Sequence, residues 1–237
     1  MKSLYKYLFL IILTQISYGQ SMNFDMLHGI NNPNLVGDSI QLEKRTFNAF
    51  KKMEKAALKD GIELKIVSAY RSYDRQKTIW NNKYLRFTKD YNLEPEKAIN
   101  EIIRFSTIPG TSRHHWGTEI DIIDGKYELD ENEDVLIAEK FKKNGVFYEM
   151  KKWLDSNSEN YGFYIVYTDD QKRKGFEHEP WHFSYKPISM ELLKLFRKSD
   201  LKKVIKNGEI KGSEYFTNEF IEKYIKEYIL DINKDLK

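Results

Sequence analysis

Two short segments of the chain bring together side chains that can bind a metal ion. The first runs from Ser112 to Asp121 and contains two adjacent histidines, and the second, from Glu179 to His182, adds a glutamate and another histidine. Imidazole nitrogens combined with a carboxylate oxygen form a ligand set that suits zinc. Three protein ligands with an open fourth position are typical of a catalytic zinc site, and a nearby carboxylate that is not a ligand can serve as a general base.

The order of these residues resembles the VanY-type zinc D-alanyl-D-alanine carboxypeptidases, a family of metallopeptidases that cut peptidoglycan stem peptides. The resemblance covers roughly residues 40–187 and rests on three motifs in the order that the family shows. The motifs are Ser-x-Tyr-Arg-Ser-x-x-x-Gln on Ser68, Tyr70, Arg71, Ser72 and Gln76, Ser-x-His-x-x-Gly-x-x-x-Asp on Ser112, His114, Gly117 and Asp121, and Glu-x-Trp-His-x-x-Tyr on Glu179, Trp181, His182 and Tyr185.

The resemblance implies the metal ligands and the base. His114, Asp121 and His182 would bind Zn²⁺. Glu179 would take a proton from zinc-bound water and pass it to the leaving amine. Pro180 disfavours a helix here, so the chain must bend between Glu179 and His182 if both are to face one metal.

Five further residues receive roles from the same resemblance. Arg71 would stabilise the negative charge that develops on the scissile carbonyl oxygen. Ser112 and Gln76 would hydrogen-bond the substrate, with Ser112 a candidate to hold its terminal carboxylate. Tyr70 and Trp181 would line the cleft, although aromatic residues of this kind are as often ordinary core residues.

One position departs from the family pattern. The residue two before Asp121 is usually small, and here it is Glu119. Because side chains alternate along a strand, Glu119 would share a face with Asp121. It would then lie near the metal as a supporting acid, unless the strand bends there. His115 and His178 match no ligand position.

Hydrophobic periodicity predicts the elements that must position these residues. Short charged loops between the predicted strands favour antiparallel pairing, which gives an α+β fold with an antiparallel sheet flanked by helices. The resemblance implies the same plan, which DD-peptidases share with hedgehog domains. Predicted helices begin at Asp38 or Ser39 (ending near Lys59), Ser72, Pro95 and Phe147, and predicted strands cover residues 62–66, 118–123, 163–167 and 181–185.

The N-terminus is typical of a secretion signal. Lys2 and Lys6 precede an apolar run from Tyr7 to Leu13 that is too short to span a bilayer, and cleavage is predicted after Gly19. A short membrane anchor is the alternative. The chain contains no cysteine, so a lipoprotein anchor, disulfides and thiol catalysis are excluded.

The rest of the chain divides into two predicted parts. Residues 20–187 would form the peptidase domain, and residues 188–237 a C-terminal helical extension packed on it. In that extension Phe216, Phe220 and Tyr224 recur every four residues, which favours a packed helix over a partner-binding one. The formal net charge of +3 gives no reason to expect nucleic-acid binding.

The sequence therefore predicts an exported zinc peptidase, periplasmic or extracellular and associated with the cell wall. It would act as a monomer that removes a terminal D-alanine from stem peptides, without stable membrane insertion after signal cleavage. An LD-carboxypeptidase or a peptidoglycan endopeptidase with the same site is the alternative. A zinc-containing cell-wall binding module without turnover is a more distant one, and retention of Glu179 beside all three ligands argues against it.

Overall fold

The computed structural model describes residues 24–128, 130, 133–206 and 209–237. Within these residues, six strands are formed: β1 (Leu35–Val36), β2 (Leu42–Glu43), β3 (Leu64–Ser68), β4 (Glu119–Asp124), β5 (Phe163–Ile165) and β6 (His182–Tyr185). Strands β3, β4, β6 and β5 form one sheet in that order, and every neighbouring pair is antiparallel. Strands β1 and β2 form a separate antiparallel pair.

Helices surround this sheet. The α-helices are α1 (Lys44–Lys59), α2 (Tyr73–Leu85), α3 (Pro95–Ile102), α4 (Tyr148–Asn157), α5 (Lys186–Phe196), α6 (Leu201–Ile205) and α7 (Asn218–Tyr224). Helices α2 and α7 each continue into a π-helical turn, at Arg86–Asp90 and Ile225–Ile229. The predicted α+β class with an antiparallel sheet is confirmed.

The start of α1 was predicted wrongly. Asp38 and Ser39, the expected caps, lie in the bend that joins β1 to β2. The helix begins at Lys44. The Glu43 carboxylate caps it by accepting hydrogen bonds from the backbone nitrogens of Arg45 and Thr46. Leu58, near the end of this helix, is 60% exposed.

Other boundaries differ by one to a few residues. The strand expected at 62–66 lies at 64–68, and the strand expected at 163–167 ends at 165. Because strand β4 is central in the sheet, residues 119–123 are buried on both faces. Near the C-terminus, the helical segment that contains Phe220 and Tyr224 ends with the π-helical turn at Ile229.

Two hydrophobic clusters hold the fold together. One lies between the sheet, α1 and α4 and includes Phe50, Ile120 and Leu154. The other joins α2 and α3 to the C-terminal helices, and includes Trp80 and Tyr224. The C-terminal segment therefore shares a core with the middle of the chain, while the predicted boundary at 187 remains a prediction.

The predicted secretion signal, residues 1–19, lies outside the described residues. In the part of the chain that the structure describes, no helix has both the length and the apolar character needed to cross a bilayer.

Candidate metal centre and active-site cleft

Three of the predicted ligands converge on one point. Asp121 in β4 pairs directly with His182 at the start of β6, so their side chains project from the same face of the sheet. His114 comes from a 3₁₀ turn (Arg113–Trp116) that ends at Gly117, whose φ of 71° lies in the left-handed region. The candidate ligand atoms of His114, Asp121 and His182 all lie within 4.8 Å of one another, which is close enough for one metal ion.

The His114 ring is oriented by the backbone. Its Nδ1 lies 2.8 Å from the Ala69 carbonyl oxygen and donates to it, so Nε2 is left to face Asp121 Oδ2, 3.5 Å away. Burial, together with the positive charge of Arg71 and the proximity of His182, lowers the pKa of His114 well below its usual value. The ring is therefore neutral, as a metal ligand must be.

His182 lies between two carboxylates. Its Nδ1 is 2.8 Å from Glu179 Oε2, and its Nε2 is 3.1 Å from Glu119 Oε2. Burial opposes a charge on this ring, but the hydrogen bonds to Glu119 and Glu179 raise its pKa to about 10. Since Glu179 lines the cleft and Glu119 is fully buried, Nδ1 is the nitrogen on the open side.

Asp121 has an oxygen with no partner. Among the described residues, nothing hydrogen-bonds its buried Oδ1. Burial raises the pKa of this carboxyl to about 6. A buried, unsatisfied carboxylate oxygen is uncommon in a folded protein, and a cation would satisfy it. Two imidazoles and one carboxylate facing an open position fit Zn²⁺.

The bend that the sequence required before His182 is present. The His182 backbone nitrogen donates to the Glu179 carbonyl oxygen at 3.2 Å, which forms a turn around Pro180. Both side chains therefore reach the same end of the cleft, and Glu179 is beside the cluster of ligands without belonging to it.

Arg71 is fixed by neutral partners. Its guanidinium donates to Gln76 Oε1 at 2.8 Å and to Ser68 Oγ at 2.9 Å. Gln76 is fully buried, and its amide nitrogen donates to the Thr107 carbonyl oxygen at 2.8 Å. Ser72 caps α2 as expected. Both polar ends of Gln76 are thus already bonded within the protein, and the contact it makes beside the cleft is to Arg71.

The other predicted substrate residues differ in position. Ser112 lines the cleft, and its hydroxyl accepts a hydrogen bond from the His114 backbone nitrogen at 3.3 Å. Trp181 also lines the cleft and packs on Phe141. Tyr70 donates to the Gly29 carbonyl oxygen at 3.4 Å, and it is not among the described residues that line the cleft. Their roles toward substrate remain predictions.

The cleft extends well beyond the candidate metal centre. It encloses about 1010 Å³. Its walls come from α2 and its π-helical turn, residues 101–107, residues 134–142, α4 and residues 176–182. A cleft of this size has room for more than a single amino acid.

Glu119 belongs to a buried polar cluster behind His182, and the sequence did not identify its other members. Its Oε1 accepts hydrogen bonds from Arg113 at 3.1 Å and from the Ser184 hydroxyl at 2.7 Å. The Arg113 guanidinium also lies 4.6 Å from the centre of the Trp116 ring. Alternation along β4 correctly places Glu119 on the same face as Asp121. The sequence analysis did not identify Arg113, and the one available signal was the general need of a buried carboxylate for a cation.

Known proteins share sequence and fold with this chain. The family model described as VanY, D-alanyl-D-alanine carboxypeptidase, matches residues 39–188. The putative carboxypeptidase YodJ of Bacillus subtilis (strain 168) is 33% identical over 161 residues, which cover 68% of this chain and 51% of YodJ. This chain therefore spans about half the length of that relative.

Two solved structures share the fold. VanYB in complex with D-alanine-D-alanine superposes with a TM-score of 0.54 at 23% identity, covering 75% of this chain and 91% of VanYB. A variant of the vancomycin-resistance D,D-pentapeptidase VanY, from a VanB-type cassette and in complex with Zn(II), gives a TM-score of 0.52 at 23% identity, covering 78% and 90%.

Proposed function

Since this chain belongs to the VanY family of D-alanyl-D-alanine carboxypeptidases, we propose that it is a zinc peptidase that releases the terminal D-alanine from peptidoglycan stem peptides. The observation that carries the proposal is the buried cluster of His114, Asp121 and His182, with Glu179 in contact with it, in the wall of a large cleft.

The metal proposal is supported by the ligand atoms themselves. The neutral His114 ring, the unsatisfied Asp121 oxygen and the open-side nitrogen of His182 form a set that suits zinc, and a related VanY structure contains Zn(II). A zinc ion held there would act as a Lewis acid toward the scissile carbonyl and would lower the pKa of a bound water.

The protein supplies the proton transfer and the charge stabilisation. Glu179 is held beside the ligands by the turn before His182, so it can accept a proton from the attacking water and return it to the leaving amine. Arg71 is held rigidly by Ser68 and Gln76, so its guanidinium can face a developing oxyanion without first having to be ordered.

The proposed substrate is a peptide with a free C-terminal carboxylate, and Ser112 is the proposed contact for it. VanYB, which shares the fold, binds D-alanine-D-alanine. Cleavage within crosslinks or of an LD bond by the same residues is the runner-up, because the cleft extends beyond the metal centre.

We further propose that the mature chain acts outside the cytoplasm, in the periplasm or at the cell wall, as a monomer. The apolar run from Tyr7 to Leu13 after two lysines supports export. The small formal charge of +3 supports a role without nucleic acid.

Digestion of defined muropeptides, followed by mass measurement of the products, tests this function. The zinc-loaded protein should remove one alanine from pentapeptide stems and should leave C-terminally amidated stems intact. The Glu179→Gln variant, loaded with zinc, is the matched control and should show little cleavage. Equal cleavage of free and amidated stems would favour an endopeptidase, and absence of cleavage with zinc bound would favour a binding module.

A further inference from the structure

One wall of the cleft carries cations that form no ion pair with any described residue. Arg71, Lys83 and Arg86 all line the cleft from the segment between the end of β3 and the π-helical turn after α2. In the described part of the chain, no carboxylate oxygen lies within 4.0 Å of their side-chain nitrogens. Arg71 is already proposed to face the oxyanion, which leaves Lys83 and Arg86 without a role.

Lys83 differs from the other lysines that line the cleft in having no ion pair. Lys142, Lys151 and Lys152 line the same cleft, and each forms an ion pair with a nearby carboxylate on its own segment. Lys83 instead donates to a neutral hydroxyl, Ser106 Oγ, at 2.6 Å. A partly buried ammonium group without an anion is unfavourable, so its retention at a cleft wall points to an anionic ligand.

Two further polar groups lie near Lys83 and Ser106. Arg86 follows Lys83 by three residues and therefore shares its helix face. Its guanidinium carbon lies 5.5 Å from the centre of the Phe87 ring, which holds the exposed arginine against the cleft wall. Beside Ser106, the Thr107 hydroxyl is buried and has no partner among the described residues, so a further hydrogen bond can be made there.

We propose that Lys83 and Arg86, with the Ser106 hydroxyl, form a carboxylate-binding subsite for the peptide substrate, separate from the position of Arg71. The inference rests on the proposed peptidase function and adds the substrate class: peptides with a carboxylate placed to reach this wall. Two carboxylates of a stem peptide have the required chemistry. One is the free C-terminus, and the other is the side-chain carboxylate of an acidic residue on the opposite side of the scissile bond.

The test compares variants against substrates. Lys83→Met and Arg86→Met remove the charges and keep apolar bulk, and Lys198→Met, an exposed lysine away from the cleft, is the matched control. Each variant is checked for its zinc content and its thermal unfolding midpoint. KM and kcat are then measured with pentapeptides that carry either an acidic side-chain carboxylate or its amide.

Lys83→Met should raise KM about tenfold or more with little change in kcat, since a charge-assisted hydrogen bond is lost. The wild type should show the same rise on the peptide that lacks the matching carboxylate, and Lys83→Met should lose nothing further on it. Lys83→Arg should restore part of the affinity. A Lys83→Met penalty equal to that of Lys198→Met overturns the subsite, and a penalty that is the same on both pentapeptides excludes the side-chain carboxylate and leaves only the C-terminus, which the binding measurements test.

Binding measurements separate this inference from the proposed function and identify the source of the carboxylate. The zinc-loaded Glu179→Gln variant, with and without Lys83→Met, is titrated by calorimetry with the free, side-chain-amidated and C-terminally amidated peptides. Loss of the Lys83 effect on one amide identifies the carboxylate that binds. If the wild type cleaves no peptide, the proposed function fails, while the titrations still decide whether Lys83 recognises a carboxylate. An equal Lys83 effect on all three peptides overturns the subsite even if the wild type is active.

Discussion

Two neighbouring residue pairs across β4 and β6 are equally buried but differ in whether their polar atoms have partners. Asp121 lies opposite His182, and among the described residues its Oδ1 has no hydrogen-bond partner. Glu119 lies opposite Ser184, and both oxygens of its carboxylate accept hydrogen bonds. The first pair is therefore completed by a ligand from outside the chain, whereas the second pair is complete without one.

The satisfied pair supports the unsatisfied one. Glu119 accepts from His182 Nε2, which fixes the plane of the ring and leaves Nδ1 on the open side. Arg113 and Ser184 in turn hold Glu119 in place. Carboxylates in this position behind a ligating histidine commonly orient the ring and increase its basicity. The difference teaches that residues alike in burial and charge can be assigned to binding or to support by counting their partners.

The largest expected effect is on the unsatisfied pair together with His114, the third proposed metal ligand. Replacing His114, Asp121 or His182 with alanine should abolish zinc binding, which is expected to be about one ion per chain in the wild type, and should abolish activity with it. Elemental analysis of dialysed protein is the measurement. Ser184→Ala, in the satisfied pair, is the control and should keep its zinc. Full zinc occupancy in all three alanine variants would show that the pair does not bind the metal.

A second large effect separates chemistry from metal binding. Glu179→Gln preserves shape but removes the proton acceptor, so turnover should fall by roughly two to four orders of magnitude while zinc content stays near that of the wild type. Single-turnover rates and zinc content are measured on the same preparation. Wild-type turnover in this variant would mean that another group accepts the proton, and Glu119 would be the first to examine.

An intermediate effect is expected from the supporting pair. Glu119→Gln weakens the acceptor for His182 Nε2 and should reduce zinc affinity by about 10- to 100-fold. Competition with a chromophoric chelator measures this without reference to activity. Glu119→Ala should in addition destabilise the fold, because it leaves Arg113 charged and buried without its carboxylate. Adding Arg113→Met to Glu119→Ala should recover part of that stability. Unchanged zinc affinity in Glu119→Gln would show that the satisfied pair supports only the fold.

The motifs in the sequence identify the residues that converge here, but not the groups that hold them. Alternation along a strand places Glu119 and Asp121 on one face, and this holds in the structure. The link from Arg113 to Ser184 spans 71 positions, and no local pattern encodes it. Sequence motifs therefore identify the ligands better than they identify the supporting residues, whose contacts join distant parts of the chain.

The same reason explains the error at the start of α1. The helical pattern continues back to Asp38, but long-range hydrogen bonds involve the residues just before the helix. The Glu43 nitrogen donates to the Gly117 carbonyl oxygen at 2.8 Å, and the Tyr70 nitrogen donates to the Gln41 carbonyl oxygen at 3.0 Å. These bonds tie residues 41–43 to the segments that carry Arg71 and His114, so tertiary contacts override local helix propensity.

The smallest expected effect tests how far support for the metal centre extends into the C-terminal helices. The buried Tyr224 hydroxyl accepts from the Ile108 backbone nitrogen at 2.9 Å and lies 3.0 Å from Thr111 Oγ1, in the loop just before the first metal motif. Tyr224→Phe should lower the free energy of unfolding by about 1–3 kcal/mol, because a buried donor loses its acceptor. Chemical denaturation measures this.

Zinc affinity should change less in Tyr224→Phe than in Glu119→Gln. The Tyr224 hydroxyl bonds to the loop before the metal motif and not to the side chain of a proposed metal ligand. Tyr228→Phe, on the same helical face but half-buried, is the control and should cost less. A loss of zinc affinity in Tyr224→Phe as large as in Glu119→Gln would mean that the C-terminal helices, and not only the pair behind His182, position the metal ligands.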